Sequence, residues 1–126
     1  MIDHLDHLVL TTAVPEQCIR FYTEVLGMSL ERFGEGRIAL RFGAQKINLH
    51  VKGREHEPKA HLPVPGALDL CFIAAIPLDE VIARLGAAGV AIVEGPVART
   101  GATFRLRSIY LRDPDLNLIE ISERAD

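Results

Sequence analysis

The chain has 126 residues and a net charge of −3, from 14 Lys and Arg against 17 Asp and Glu. One domain's length with 48% apolar residues suffices for a single core and excludes a disordered chain. No basic run offers a footprint for nucleic acid, and no apolar run approaches the roughly 20 residues of a membrane helix.

Residues 5–12 alternate as a strand, and Pro15 suits the first turn of a helix. Cys18, Phe21, Tyr22, Val25 and Leu26 then recur at the spacing of one helical face, with Gly27 at the C-terminal end. Strands are predicted over 29–33, 37–42 and 46–51, separated by the turn signals Gly34-Glu35-Gly36 and Gly43-Ala44-Gln45. A charged, Pro-containing stretch over 53–66 reads as a linker.

The second half is predicted as a strand over 68–74 and a helix with Leu78, Val81, Ile82 and Leu85 on one face. A strand over 91–97, a loop through Arg99-Thr100-Gly101 and strands over 104–112 and 117–122 complete it. The two halves echo each other: His7-Leu8-Val9-Leu10, Val14-Pro15 and Gly27 answer to Asp69-Leu70-Cys71-Phe72, Ile76-Pro77 and Gly89. The predicted class is therefore α+β. Two βαβββ modules, 1–52 and 67–126, form curved mixed sheets around a concave metal or ligand site, together one domain.

Alternation assigns the faces. Leu8, Leu10, Ile38, Leu40, Phe42, Ile47 and Leu49 form one apolar layer, and Leu70, Phe72, Ile109, Leu111, Ile119 and Ile121 the other. The opposite faces carry His7, Arg41, Asn48 and His50, then Asp69, Tyr110, Arg112 and Glu120. His50 and Glu120 sit near the ends of the last strands of the two halves and are read as duplicate positions. Two His and a carboxylate suit a divalent first-row ion with open coordination positions, so His7, His50 and Glu120 are the candidate ligands. Asp69 is a fourth ligand, a partner fixing a His tautomer, or an inward polar residue. His4, His56 and His61 fall in the leader and linker and read as solvated.

Three motifs carry a resemblance over nearly the whole chain: Leu5-Asp6-His7-Leu8-Val9-Leu10, Phe21-Tyr22-Thr23-Glu24-Val25-Leu26-Gly27-Met28, and the run from Arg112-Asp113-Pro114-Asp115 through Ile119-Glu120-Ile121. With them the chain resembles the vicinal oxygen chelate superfamily of glyoxalase I, extradiol dioxygenases and the fosfomycin and bleomycin resistance proteins. More narrowly, Leu40-Arg41-Phe42-Gly43, Gly95-Pro96-Val97 and Arg99-Thr100-Gly101-Ala102 look like the glyoxalase domain-containing protein 5 group. The resemblance implies one ligand from the first and one from the last strand of each half, hence His7, His50, Asp69 and Glu120. Glyoxalase I usually has Glu where His50 stands and His where Asp69 stands, so its isomerase activity does not simply transfer. Leu116 replaces the Gly common in the final turn, leaving Asn117 or Asp115 to take up any positive φ.

The expected function is a metal-dependent enzyme, a lyase, isomerase or dioxygenase, acting on a small substrate that chelates Zn, Ni, Mn or Fe(II) through two adjacent oxygens. Glu120 or Asp69 would carry the proton, and Arg41, Tyr110 and Arg99 would hold an anionic group. The alternative is a metal-free sequestration protein of the bleomycin-resistance type. Asp3, His4, Asp6 and His7 interrupt any signal-peptide apolar region, and Cys18 and Cys71 suit a reducing compartment, so a cytoplasmic protein is expected. By resemblance a homodimer is expected, with exchange of modules favoured, though the connection allows them to pair within one chain or between two.

Overall fold

A computed structural model describes residues 1–125, which fall into two compact units, the first spanning Met1–Ala67 and the second beginning at Leu68. The first unit holds β1 (His7–Thr12), α1 (Pro15–Arg20), β2 (Ser29–Phe33), β3 (Arg37–Phe42) and β4 (Gln45–Val51). The second holds β5 (Asp69–Ile73), α2 (Leu78–Ala87), β6 (Glu94–Thr100), β7 (Arg105–Arg112) and β8 (Leu118–Arg124). Both βαβββ modules therefore form as the sequence pattern predicts. Their sheets share one plan, β1-β4-β3-β2 and β5-β8-β7-β6, with the first and last strands of each module parallel at one side.

Pro15 opens α1, where a missing N–H costs nothing. The helix then widens into a π-helical turn over Phe21–Val25, in which Leu26 N–H donates to the Phe21 carbonyl. Cys18, Phe21 and Tyr22 are buried as the spacing requires, while Val25 and Leu26 are half-buried. In the second unit the Glu123 carboxylate accepts from Leu78 N–H at 2.8 Å and so caps α2. Arg107 bridges that same Glu123 and Asp79 of the helix.

The apolar layers are real. Leu10, Leu40, Ile47 and Leu49 are buried in the first unit, and Ile109, Leu111, Ile119 and Ile121 in the second. The opposite faces are also buried at their centres, through Ala39, Asn48 and His50 in one unit and Leu106, Ser108 and Ser122 in the other.

Two local expectations change. The strand expected over 91–97 lies three residues later, because Gly95 and Pro96 sit in an irregular step between Glu94 and Val97. A side chain at Gly95 would strike the Ser108 carbonyl at 2.5 Å, and φ there is +104°. Arg99 and Thr100 therefore belong to β6 and pair with Leu106 and Arg105, rather than to a loop. In the last turn, Leu116 itself adopts φ 69°, not Asp115 or Asn117. Those two donate backbone N–H to the buried Asp113 carboxylate, which fixes the turn and leaves Leu116 to take the left-handed position.

Candidate functional site

In the first unit, strand register fixes who stands beside whom. His7 pairs with Lys46, Val9 with Asn48 and Thr11 with His50, so all six share a face. His7 and His50 lie four residues apart along the strand direction, about 13 Å. Side chains rise roughly perpendicular to a sheet, and a metal–imidazole bond is only about 2.1 Å. The two histidines of this unit therefore do not meet at one ion.

The register also corrects the duplicate position. In the second unit Asp69 pairs with Leu118 and Cys71 with Glu120. Superposing His7 on Asp69 thus places Asn48 on Glu120 and His50 on Ser122. The signal was present in Ile47-Asn48-Leu49 against Ile119-Glu120-Ile121.

His7 is exposed, and its Nδ1 is held by Asp6 Oδ2 at 2.9 Å. That bond lowers the Asp6 carboxyl below its usual range. A carboxylate on Nδ1 fixes the tautomer that leaves Nε2 with its lone pair, the arrangement metal-ligating histidines use. His50 is the opposite case, only 3% exposed, with no hydrogen-bond partner on either ring nitrogen. Burial, with the charges of His56 and Arg37, pushes its pKa down. His56 is not solvated as expected. It is half-buried, its ring edge-on to His50. His4 and His61 are exposed, as expected.

Arg41 lies on the predicted face, but its Nε donates to Glu31 Oε2 at 2.5 Å across the β2–β3 pair. That bond holds the Glu31 carboxyl down and answers the guanidinium charge, so Arg41 is a poor substrate clamp.

In the second unit a groove of about 420 Å³ is lined by Cys71, Ile73, Arg99, Phe104, Leu106 and Glu120 together with the turn after β6. Gly101 makes that turn possible: a Cβ there would lie 2.7 Å from the Phe104 carbonyl that accepts its N–H. Glu120 stands between its register partners Cys71 and Tyr110. Its Oε2 accepts from Ser122 Oγ at 3.2 Å, and Ser122 in turn meets Ser108 Oγ at 2.7 Å and Cys71 Sγ at 3.4 Å. Burial raises the Cys71 pKa above the ordinary thiol value, offset in part by Ser122 and reinforced by Glu120. The thiol is therefore a poor nucleophile near neutral pH. Arg99 Nε donates to the Tyr110 hydroxyl at 2.8 Å and Nη1 to the Ala98 carbonyl, which holds the guanidinium at the groove. Asp69 is exposed and shares the Glu120 face. The serine and thiol chain was not anticipated from the sequence. Within either unit, no three His, Cys, Asp or Glu side chains gather at one point among the described residues.

The chain is 58% identical over 123 residues to Virulence protein STM3117 of Salmonella typhimurium, covering 98% of this chain and 85% of that protein. It is 54% identical over 122 residues to Glyoxalase domain-containing protein RDO1 of Mycosarcoma maydis, covering 97% and 69%. The crystal structure of STM3117 matches with a TM-score of 0.97 at 57% identity, covering 99% of each chain. With the model of the Glyoxalase/Bleomycin resistance protein/Dioxygenase superfamily matching residues 4–121, the chain belongs to that superfamily.

Proposed function

We propose that this chain is a metal-dependent enzyme of the glyoxalase or dioxygenase type, acting on a small substrate with two adjacent oxygens. The observation that carries the reading is His7, its Nδ1 held by Asp6 so that Nε2 remains for a cation. Glu120 is the matching carboxylate, with Oε2 held by Ser122 at the wall of the groove. Asp69 and Asn48 are the neighbouring oxygen donors on the same strand faces. His50 leaves the ligand set because His7 and His50 stand apart.

His7 and Glu120 are each read as a ligand for a divalent Zn, Ni, Mn or Fe ion, which would supply Lewis acidity to the substrate oxygens. Glu120, or Asp69 where Glu120 is engaged, accepts and returns the proton. Arg99, positioned by Tyr110 and only loosely paired with Glu94 at 3.6 Å, binds an anionic group of the substrate. Ile73, Phe104 and Leu106 give the groove an apolar wall. The working form in this reading is a cytoplasmic homodimer.

Acetohydroxamate, which presents two adjacent oxygens, tests the reading. Calorimetric binding to Zn- or Ni-loaded protein, absent from the metal-free protein and weakened in Glu120→Gln, is the expected outcome. Equal binding with and without metal would favour sequestration without chemistry.

A further inference from the structure

His50 lies near the end of β4 with its ring buried and both nitrogens unpartnered. A neutral imidazole has one donor and one acceptor, and buried polar atoms of this kind ordinarily find partners. The chain then turns back: Lys52 N–H donates to the Thr12 carbonyl and Arg54 N–H to that of Val51, while Gly53 N–H is taken by Glu55 Oε2 at 3.0 Å. This fold-back lays His56 against His50 with ring centroids 5.4 Å apart and planes at 64°.

Two imidazoles bound to one tetrahedral ion through bonds of about 2.1 Å have centroids about 5.3 Å apart. Edge-to-face packing also gives such a distance, but packing alone leaves the two nitrogens of His50 unmatched. A neutral imidazole has a lone pair to donate to a cation, and the buried ring of His50 spends neither nitrogen on the protein. The Glu55 carboxylate, which accepts from Gly53 N–H, supplies negative charge on the same fold-back.

We propose that His50 and His56 hold a divalent first-row cation at a second site, separate from His7 and Glu120. Two imidazoles are the protein ligands, water completes the coordination, and Glu55 compensates the charge from outside it. Zn, Ni and Cu are the ions such nitrogen donors favour.

The test uses the full chain carrying His7→Ala and Glu120→Gln, so that the other candidate ligands are gone. Equilibrium dialysis against Zn²⁺ is expected to find one ion per chain. Adding His56→Ala removes it, while His61→Ala leaves it. Histidine ¹⁵N spectra of the same chain should show Zn²⁺ shifting the His50 and His56 rings and not that of His61. His56 is half-buried, so His56→Ala is expected to keep the fold, as circular dichroism would verify; the spectra need no His56 substitution. Failure of the His7→Ala, Glu120→Gln chain to take up Zn²⁺, or unchanged uptake after His56→Ala, would overturn the second site. Neither result bears on the metal proposed at His7 and Glu120, which is read in the chain that retains them.

Discussion

Asp113 anchors the turn that delivers Glu120 to the groove, and Asp113→Ala should be costly. The carboxylate is 2% exposed and accepts from Asp115 N–H at 2.9 Å, Asn117 N–H at 2.9 Å and Asn117 Nδ2 at 2.8 Å. Asn117, itself buried, uses its remaining side-chain oxygen to accept Leu68 N–H at the start of the second unit. Hydrogen bonds to a charged acceptor contribute roughly 1.5–3 kcal/mol each, about 4.5–9 kcal/mol in all. Removing the carboxylate also recovers several kcal/mol of its burial cost, and water can reach the half-buried Asp115 amide. The net loss is about 3 kcal/mol, a large share of the roughly 5–15 kcal/mol that holds a domain folded. Asp113→Asn keeps one acceptor oxygen and should lose about half as much. Urea unfolding of the three proteins at pH 7 is the assay. A loss below about 1 kcal/mol for Asp113→Ala, or equal losses for Ala and Asn, would refute the carboxylate as the anchor.

Leu40→Ala and Leu111→Ala, at positions fully buried in the two apolar layers, should each destabilise by about 2–5 kcal/mol in urea melts. A near-zero cost at either would mean that its side chain is not packed. The Arg41 hydrogen bond holds Glu31 below its ordinary value, so the pair stabilises the fold above about pH 4.5, and that contribution is lost as pH falls. The urea midpoint of Glu31→Gln should therefore lie below that of the parent at pH 6 and converge with it on acidification; a pH-independent gap would contradict this. If ligands from two chains complete each metal site, mixing His7→Ala and Glu120→Ala chains should restore part of the metal binding. No recovery in demonstrably mixed dimers would mean that each chain supplies its own ligands.

Period-two alternation makes the sheet faces legible in the sequence, since Leu40, Ile47, Ile109 and Ile119 have only one side on which to be buried. It could not choose between Asn48 and His50, because residues two apart on a strand share a face. Only the parallel pairing with β1 separates them. Arg41 shows the same limit: its side was readable, but its neutralisation by Glu31 depends on the pairing of β2 with β3. Gly95 and Pro96 read in sequence as strand interior, whereas the close approach of the Ser108 carbonyl makes them an irregular step and moves β6 later. The fold-back that brings His56 to His50 follows from backbone bonds in a stretch with no periodic signal.

Metal content of protein prepared without a polyhistidine tag tests the central claim most directly. Parent, His7→Ala, Glu120→Ala and His61→Ala chains would each be loaded with Zn²⁺, dialysed and analysed by atomic emission. His7→Ala and Glu120→Ala are each expected to hold less metal than the parent, while His61→Ala holds as much. Identical metal content in all four proteins would contradict that claim.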